Sequence, residues 1–436
     1  FLILGVKGTG KTALYKALKN RLFVEKLKKI SRKDNLYFTV VDIISIKTDK
    51  PDKRNKYFEI AAQFNEKDLM ENDERFYNRF WIIYIWNAIM ADADKIGFKS
   101  GLESREIKND SLTATYFKNI ISNDLKFGEI EGELYKLNRF LKDNRKNLVI
   151  IFDQLDDVVK PVFWSKAISP LINLWRSNNF SRILPKLFLR RDLFNKIKGI
   201  TNKQHLTEQA VNLEWSKEEI FGFLFKIIFS ENKKEFFDIM ERYNDFNLQH
   251  INEIKTCLKG NSNQTPPDAF YIRPLVETFF GKYADGKSPS FGETYDWFYN
   301  NLKNADGTIS LRPFLDLVGE AIHRFFNHPW EEEKPILASL YFGTAAARKK
   351  AVQRYFEDLS QEEGNEYLRI VIEYIRDAHN IPSELRQLNL PSDEFNRLMG
   401  IVLKNAKGLE EADREDLTEA LIANGVVRVR YKRGGD

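Results

Sequence analysis

The sequence is poor in the residues that hold small secreted domains and metal centres together. Its 436 residues include one cysteine, Cys257, and five scattered histidines. A single cysteine excludes an internal disulfide framework and is typical of a reducing compartment, so we expect a cytoplasmic protein. Because the histidines are scattered, we also expect no structural zinc site, which needs a tetrahedral set of cysteine and histidine ligands.

Long apolar runs and secretion signals are also missing. No stretch approaches the ~18 consecutive apolar residues that a membrane-spanning helix needs, so we expect no membrane contact. The sequence starts at Phe1, inside an apolar run that predicts a central strand, and it has no signal-like region or cleavage pattern. We therefore expect a longer protein with a further N-terminal part, for which an effector domain is one candidate.

The composition that remains is typical of a globular protein with several domains. Hydrophobic residues make up 43% of the chain and charged residues 30%, which excludes a disordered chain. A length of 436 residues predicts two or three domains. The net charge of +5 is spread over this length, so it permits contact with nucleic acid but does not require it.

The first twelve residues carry the most informative pattern. An apolar run leads into Gly5-Val6-Lys7-Gly8-Thr9-Gly10-Lys11-Thr12. This segment matches G-x-x-x-x-G-K-[ST], the P-loop, whose backbone N–H groups cradle phosphates. In such a loop Lys11 reaches the β- and γ-phosphates, and the Thr12 hydroxyl binds Mg²⁺. The alternative is a plain strand–turn–helix connection, but the apolar strand before the loop and the helix after it favour nucleotide binding.

The loop and the start of its helix are therefore the predicted nucleotide site. The residues expected to contact ATP are Gly5, Lys7, Gly8, Thr9, Gly10, Lys11, Thr12 and Ala13. Three glycines give this loop the backbone freedom that a Cβ atom would block. In the helix, Ala13, Leu14, Ala17 and Leu18 recur at helical spacing, which predicts that they pack on the sheet.

Apolar runs alternate with amphipathic segments over the first half of the chain. This pattern predicts an α/β fold, a P-loop NTPase parallel sheet with helices on both faces, over residues 1–230. The expected strands are 36–44, 147–152, 186–189 and 211–213, and the expected helices include 74–93, 164–178 and one opened by a capping box at Ser216–Glu219. The run 147–152 does not alternate, which is typical of a strand buried on both faces.

The second half of the sequence is mostly helical. We expect a helical lid domain over 231–330, with helices near 233–258, 270–284, 292–303 and 311–326. A helical, winged-helix-like C-terminal domain is expected over 331–436. Its last helix is expected at 409–424, and the period-two pattern of Val426–Lys432 predicts a final strand.

A cluster of carboxylates follows the apolar run at 147–152. Asp153 ends this run, and a carboxylate there is suited to the Mg²⁺ shell of a P-loop ATPase. Asp156 and Asp157 follow within one helical turn, where they could polarise the attacking water. The alternative for one of these two is capping of a helix N-terminus.

Two arginine positions complete the predicted site. The strand at 186–189 leads into Arg190 and Arg191, and we prefer Arg190 as the residue that contacts the γ-phosphate, with its neighbour pairing with Asp192 or capping a helix. Arg273 precedes Pro274, which is expected to start a helix. If that helix belongs to a lid, Arg273 contacts phosphate from the lid side; the alternative is a turn-and-cap motif.

Taken together, these motifs resemble those of a known family. The P-loop at 5–12, the pattern hhhhD-x-h-D-[DE] ending at Asp157, the strand that ends in arginine, and the segment Leu213–Ile220 are similar to STAND-type and NACHT-like NTPases, a branch of the AAA+ and ORC-like ATPases. The closest likeness is to bacterial ATPases of anti-phage and other conflict systems. The resemblance implies an Mg²⁺-dependent ATPase switch whose nucleotide state controls homo-oligomerisation and an effector. Gln154 and Asp157 depart from the glycine and glutamate usual there, which leaves the efficiency of hydrolysis open.

Three alternatives stay open at this point. The first is an ORC-like ATPase that binds DNA through a C-terminal winged helix, where Arg428, Arg430 and Lys432 share one face of the predicted strand. The second is a small-molecule kinase, for which we find no acceptor pattern. The third is a module that binds ATP without hydrolysing it. No motif distinguishes ATP from GTP.

Overall fold

The computed structural model describes residues 1–30, 38–44, 74–91, 93–102, 114–153, 155, 164–177, 180–242, 248–259, 267–284, 290, 292–329, 336–361, 365–387 and 389–430. Contacts divide the chain into two compact units. The first comprises Phe1–Val6 and Gly10–Leu213, and the second comprises Lys7–Thr9 and Glu214–Asp436.

The first unit alternates strands and helices. In chain order they are β1 (Leu2–Gly5), α1 (Lys11–Leu18), α2 (Arg21–Ile30), β2 (Phe38–Ile44), α3 (Glu74–Ala91), α4 (Ala93–Ile96), α5 (Ala114–Ile121), α6 (Asp124–Asp143), β3 (Asn147–Phe152), α7 (Trp164–Ser177), β4 (Ile183–Arg190), α8 (Arg191–Lys196), α9 (Lys203–Gln209) and β5 (Val211–Leu213). The predicted α/β class and the predicted strands are confirmed.

The strands form one parallel sheet in the order β2-β3-β4-β1-β5. Strand β4 therefore lies between β1 and β3. Gly5 at the end of β1 pairs with Arg190 at the end of β4, and Phe152 at the end of β3 pairs with Leu187. Because all pairs are parallel, the segments that follow β1, β3 and β4 leave the sheet at the same edge, where open α/β sheets bind ligands.

One face of the sheet carries the larger core. Leu148, Ile150 and Phe152 of β3 point to this face, against side chains of α3, α6 and α7. Trp81 of α3 is buried there, and its indole N–H donates to the Ala167 carbonyl over 2.6 Å, so the ring is packed and its polar atom is satisfied. Phe80, Ile83, Trp86 and Ile89 of the same helix are also buried.

Helix α1 covers the opposite face mainly through Tyr15. This side chain is 2% exposed, and its ring meets Phe188 edge-on with 6.3 Å between centroids. Leu14 and Leu18 pack against the same cluster, as predicted. Ala13 is exposed, however, so its place on the buried face was wrong. The aromatic ring of Tyr15 fills the space between helix and sheet, and the helix is rotated to point it inward.

The second unit is helical. Its helices are α10 (Lys217–Glu231), α11 (Lys233–Arg242), α12 (Leu248–Lys259), α13 (Ala269–Phe280), α14 (Thr294–Leu302), α15 (Leu311–Asn327), α16 (Ser339–Phe342), α17 (Ala345–Ser360), α18 (Leu368–Arg376), α19 (Ser392–Asn405) and α20 (Arg414–Ala423), with short 3₁₀ turns at Ala378–Asn380 and Ser383–Leu385. The β pairing among the described residues of this unit consists of two isolated antiparallel bridges, between Tyr283 and Glu293 and between Lys303 and Ile309.

Local sequence signals account for several helix ends in this unit. The Ser216 side chain accepts from the Glu219 N–H over 3.1 Å, and the Glu219 carboxylate accepts from the Ser216 N–H over 2.8 Å. This is the predicted capping box, and it opens α10. Pro274 does not start a helix, because α13 already begins at Ala269, where the Asp268 carboxylate accepts the Phe270 N–H. The cap at Asp268 outweighs the proline signal.

Two clusters of buried side chains form the core of the second unit. The first joins helices from α10 to α17 and is rich in phenylalanine, and the second joins α17 to α20. Helix α17 contributes to both: Ala347 and Ala351 lie in the first cluster, and Tyr355 and Leu359 lie in the second.

The end of α20 explains why the predicted final strand is wrong over its described part. Gly425 has φ 69°, and its N–H donates to the Ile422 carbonyl while the Val426 N–H donates to the Leu421 carbonyl. These two bonds form a Schellman motif, and Val426 and Val427 then pack partly buried against the helices. Residues 426–430 form no strand. Tyr431 and Lys432 lie outside the described residues.

In the described part of the chain, no helix is both long enough and apolar enough to cross a membrane.

The core predicts a sharp contrast between two leucines of the first unit. Leu171 in α7 is 0% exposed, so Leu171→Ala should lower the free energy of unfolding by about 2–5 kcal/mol. Leu125 in α6 is 83% exposed, so Leu125→Ala should change it by no more than about 0.5 kcal/mol. Denaturant unfolding of the full chain measures both, and equal effects would contradict the packing.

Candidate functional site

The loop after β1 has the backbone shape of a phosphate cradle. Gly8 and Gly10 have φ of 84° and 93°, the left-handed region that glycine adopts without strain. Gly10 is the N-cap of α1 and supplies no side-chain cap, and its carbonyl accepts the Leu14 N–H over 2.9 Å. The N–H groups of the first turn, which include those of Thr12 and Ala13, have no acceptor within the helix. Such a helix end attracts anions.

The Lys11 ammonium lies over the start of the loop. Its Nζ donates to the carbonyl oxygens of Gly5 and Val6, over 2.8 and 2.9 Å. These are the last residue of β1 and the first of the loop, so the cation lies at the point where the chain leaves the strand. A phosphate oxygen there would be a stronger acceptor than a neutral carbonyl, because both partners would then be charged.

Asp153 is buried on the same side of the sheet as α1. It is 2% exposed and directly follows Phe152, the last residue of β3. Side chains alternate along a strand, so Asp153 shares a face with Ile151, which packs in the cluster of Tyr15. Neighbouring strands lie about 4.8 Å apart, so β3 and β1, with β4 between them, are about 10 Å apart. A carboxylate at this distance leaves room for a phosphate and its cation.

Arg190 forms a buried ion pair with Asp192. Its Nε donates to one carboxylate oxygen over 3.1 Å and its Nη2 to the other over 2.5 Å, and both side chains are less than 10% exposed. Such a two-point contact fixes the plane of the guanidinium. Arg191 is more exposed and donates to the Asn212 side chain over 3.3 Å. The partner of Asp192 is thus Arg190, and not its neighbour as expected.

The contact of Arg190 with a γ-phosphate stays a prediction. The register places this residue opposite Gly5, at the level where the loop begins. Its guanidinium is oriented by Asp192, so contact with phosphate would exchange one anionic partner for another. Arg190 ends β4 and Asp192 lies in the first turn of α8. Because the two residues belong to different elements, neither strand nor helix periodicity predicts that their side chains meet.

The tip of the loop, Lys7–Thr9, groups with the second unit. Lys7 Nζ donates to the Asp358 carbonyl over 2.7 Å, and the Ser310 hydroxyl donates to the Lys7 carbonyl over 3.1 Å. The Trp215 indole N–H donates to the Thr9 carbonyl over 3.2 Å. The side chain of Lys7 is therefore engaged by backbone of α17. Sequence reasoning missed Ser310, Trp215 and Asp358, because no motif spacing links them to the loop.

Arg273 takes part in a network of charged groups in the second unit. Its Nη1 donates to the Glu293 carboxylate over 2.7 Å, and its guanidinium lies 5.1 Å from the centre of the Tyr295 ring. Lys217 lies over the same ring at 3.9 Å. The Tyr295 hydroxyl donates to Glu218, and burial together with this bond raises the pKa of the phenol. Contact of Arg273 with phosphate stays a prediction.

Some predicted residues lie outside what the structure describes. These are Gln154, Asp156 and Asp157. Within the described residues, no group of three or more His, Cys, Asp and Glu side chains could hold a metal. Magnesium needs no such group, because it takes one or two protein carboxylates and keeps water and phosphate oxygens as its other ligands. The Asp153 carboxylate and the Thr12 hydroxyl are oxygen donors of the kind that fit Mg²⁺.

Comparisons with known proteins give no relative. No family model, no curated protein and no solved structure matches the chain. The resemblance to STAND-type ATPases therefore depends on the sequence motifs alone.

The buried ion pair predicts a strong effect of one substitution. Asp192→Asn removes the anion that faces the buried Arg190 guanidinium, which should cost about 3–5 kcal/mol of unfolding free energy. The double variant Arg190→Met with Asp192→Leu removes both charges and should be closer to the unsubstituted protein. Denaturant unfolding measures the series.

The matched control for this series is Arg191→Met, which removes the neighbouring and more exposed guanidinium. It should change the unfolding free energy by no more than about 0.5 kcal/mol. If Asp192→Asn is as mild as this control, the pair is not buried as described.

Proposed function

We propose that this chain is a magnesium-dependent ATP-binding switch of the STAND type, which also hydrolyses ATP. Its nucleotide state would control homo-oligomerisation and an associated effector, and the role in bacterial anti-phage defence comes from the motif resemblance. The observation that carries the proposal is the loop between β1 and α1. There a P-loop sequence has left-handed glycines, a helix start without a side-chain cap, and the Lys11 ammonium bonded to the carbonyls at the start of the loop.

The loop residues bind phosphate in two ways. The N–H groups of the first turn of α1 donate to phosphate oxygens, and the helix dipole acts there like about half a positive elementary charge. Lys11 exchanges the carbonyls of Gly5 and Val6 for phosphate oxygens. The exchange is favourable because an ammonium bonds an anion more strongly than a neutral carbonyl.

In this proposal, residues at and after the end of β3 bind the metal and polarise the hydrolytic water. Asp153 and the Thr12 hydroxyl would hold Mg²⁺, which neutralises charge on the β- and γ-phosphates. The burial of Asp153 supports this role, because a buried carboxylate is stabilised by a nearby cation. Asp156 or Asp157 would polarise the attacking water, and Arg190 would report whether a γ-phosphate is present.

The lid in this proposal is residues 231–330, and the helical content of their described part supports it. The winged-helix-like expectation loses the strand on which it depended, since 426–430 forms none. The DNA-binding alternative depended on the same strand to align Arg428 and Arg430. No other observation favours it, so we do not carry it further.

The first test of the proposal is the affinity for Mg-ATP, measured by titration calorimetry on the full chain. Lys11→Met should weaken binding about 10- to 100-fold, because it removes charge-assisted bonds to phosphate. Asp153→Asn should leave the affinity for ATP measured in EDTA unchanged. It should remove the increase in affinity that Mg²⁺ gives the unsubstituted protein.

The control for this test is Lys16→Met, which removes an exposed lysine of the same helix. Its affinity should equal that of the unsubstituted protein. If no nucleotide binds to the folded protein, the proposal fails; if Lys16→Met weakens binding as much as Lys11→Met, the loop is not the site.

The switch part of the proposal has its own test. Light scattering on the full chain should give a larger assembly with Mg-ATP than with Mg-ADP, because the γ-phosphate is the group that distinguishes the two states. Lys11→Met should remove the difference. The same mass in both nucleotides would leave ATP binding intact and overturn the switch.

A further inference from the structure

A cleft in the first unit lies apart from the loop and the strand ends described above. Its volume is 740 Å³, within the range of about 300–1,000 Å³ that is usual for small-ligand sites. The first turns of α3, the N-terminal half of α6, the end of α7 and Thr201 line it. No residue of the predicted nucleotide site belongs to the lining.

The floor of the cleft is apolar. Ile82 and Leu174 are buried there, and Phe127 is partly buried. The Arg79 guanidinium lies 4.6 Å from the centre of the Phe127 ring, and its Nη1 donates to the Ile121 carbonyl over 2.6 Å. Arg79 is thereby held in place, and it joins the end of α5 to the start of α6. The floor is a fixed surface on which an apolar side chain can pack.

The rim carries both signs of charge. Arg75, Arg79 and Arg176 line the cleft together with Glu74 and Glu131. Arg75 and Arg79 both donate to Asp124, whose pKa is held below its usual value mainly by the hydrogen bond and the charge of Arg79. With Asp124 included, three guanidinium groups face three carboxylates. A balanced rim does not favour a polyanion such as nucleic acid or a polyphosphate.

Some of these charges are available to a ligand. Glu74 and Glu131 make no ion pair with any other residue that the structure describes. The Arg75 side chain is 67% exposed, and its contact with the exposed Asp124 is of a kind that contributes little. Within the part of the chain that the structure describes, the cleft thus offers two carboxylates outside ion pairs and an accessible guanidinium around an apolar floor.

We propose that this cleft binds a short peptide with free ends. The peptide ammonium contacts Glu74 and Glu131, its carboxylate contacts Arg75 and Arg176, and an apolar side chain packs on Ile82, Phe127 and Leu174. A peptide of a few residues suits the volume better than a single amino acid does. The site is independent of nucleotide binding, so it can be tested in the absence of ATP.

The test is titration calorimetry on the full chain without nucleotide, with three probes. Trileucine carries both charges, its N-acetyl form carries only the carboxylate, and its C-terminal amide carries only the ammonium. Trileucine should bind, and each blocked form should bind about tenfold more weakly or worse, because each loses one charge-assisted contact.

Variants on the rim identify the groups involved. Arg75→Gln should weaken the binding of trileucine and leave the affinity for its C-terminal amide unchanged. Glu131→Gln should weaken the binding of trileucine and leave the affinity for its N-acetyl form unchanged. Arg139→Gln and Glu129→Gln, exposed positions of α6 outside the lining, are the matched controls and should change nothing. Equal affinity for trileucine and either blocked form, no binding at millimolar concentration, or equal effects of the control variants would each overturn the proposal.

Discussion

Strand β4 pairs in parallel with β1 along one side and with β3 along the other. This pairing brings together three segments that are far apart in sequence, the loop after β1, Asp153 after β3 and Arg190 at the end of β4. Neighbouring strands lie about 4.8 Å apart, so the ends of β1 and β3 are separated by about two strand spacings. The spacer strand β4 thus sets the distance between the loop and Asp153 and places Arg190 between them.

The two faces of the sheet are covered unequally. One face carries the large core of α3, α6 and α7, which fixes the positions of the strands. Among the described residues, the other face carries a smaller cluster of Ile3, Tyr15, Ile151 and Phe188. The larger part of the described core therefore lies on the face opposite to that of helix α1.

Strong local signals made much of the fold predictable from the sequence. The unbroken apolar run predicted β3, and the capping box at Ser216 predicted the start of α10. Both predictions are confirmed, because each depends only on residues that are close together in sequence. The final strand failed for the opposite reason, since the Schellman motif at Gly425 satisfies the backbone locally and turns the two valines inward. Alternation of apolar and charged residues cannot distinguish a strand from such a turn.

The site was predictable in part. The loop and Asp153 were found from motifs, and the structure shows their backbone shape and burial without testing their role. The contacts of Ser310 and Trp215 with the loop tip depend on residues brought together by folding, and no periodicity marks them. Pairing of Asp192 with a neighbouring arginine was expected, but the choice of Arg190 over Arg191 depends on side-chain directions at the junction of β4 and α8.

Helix α17 belongs to two cores at once. It is sixteen residues long, or about 24 Å, and its first half packs into one cluster while its second half packs into the other. Unwinding the first half of this helix would expose the first cluster, and unwinding the second half would expose the second. Because one continuous helix serves both clusters, we expect them to unfold together.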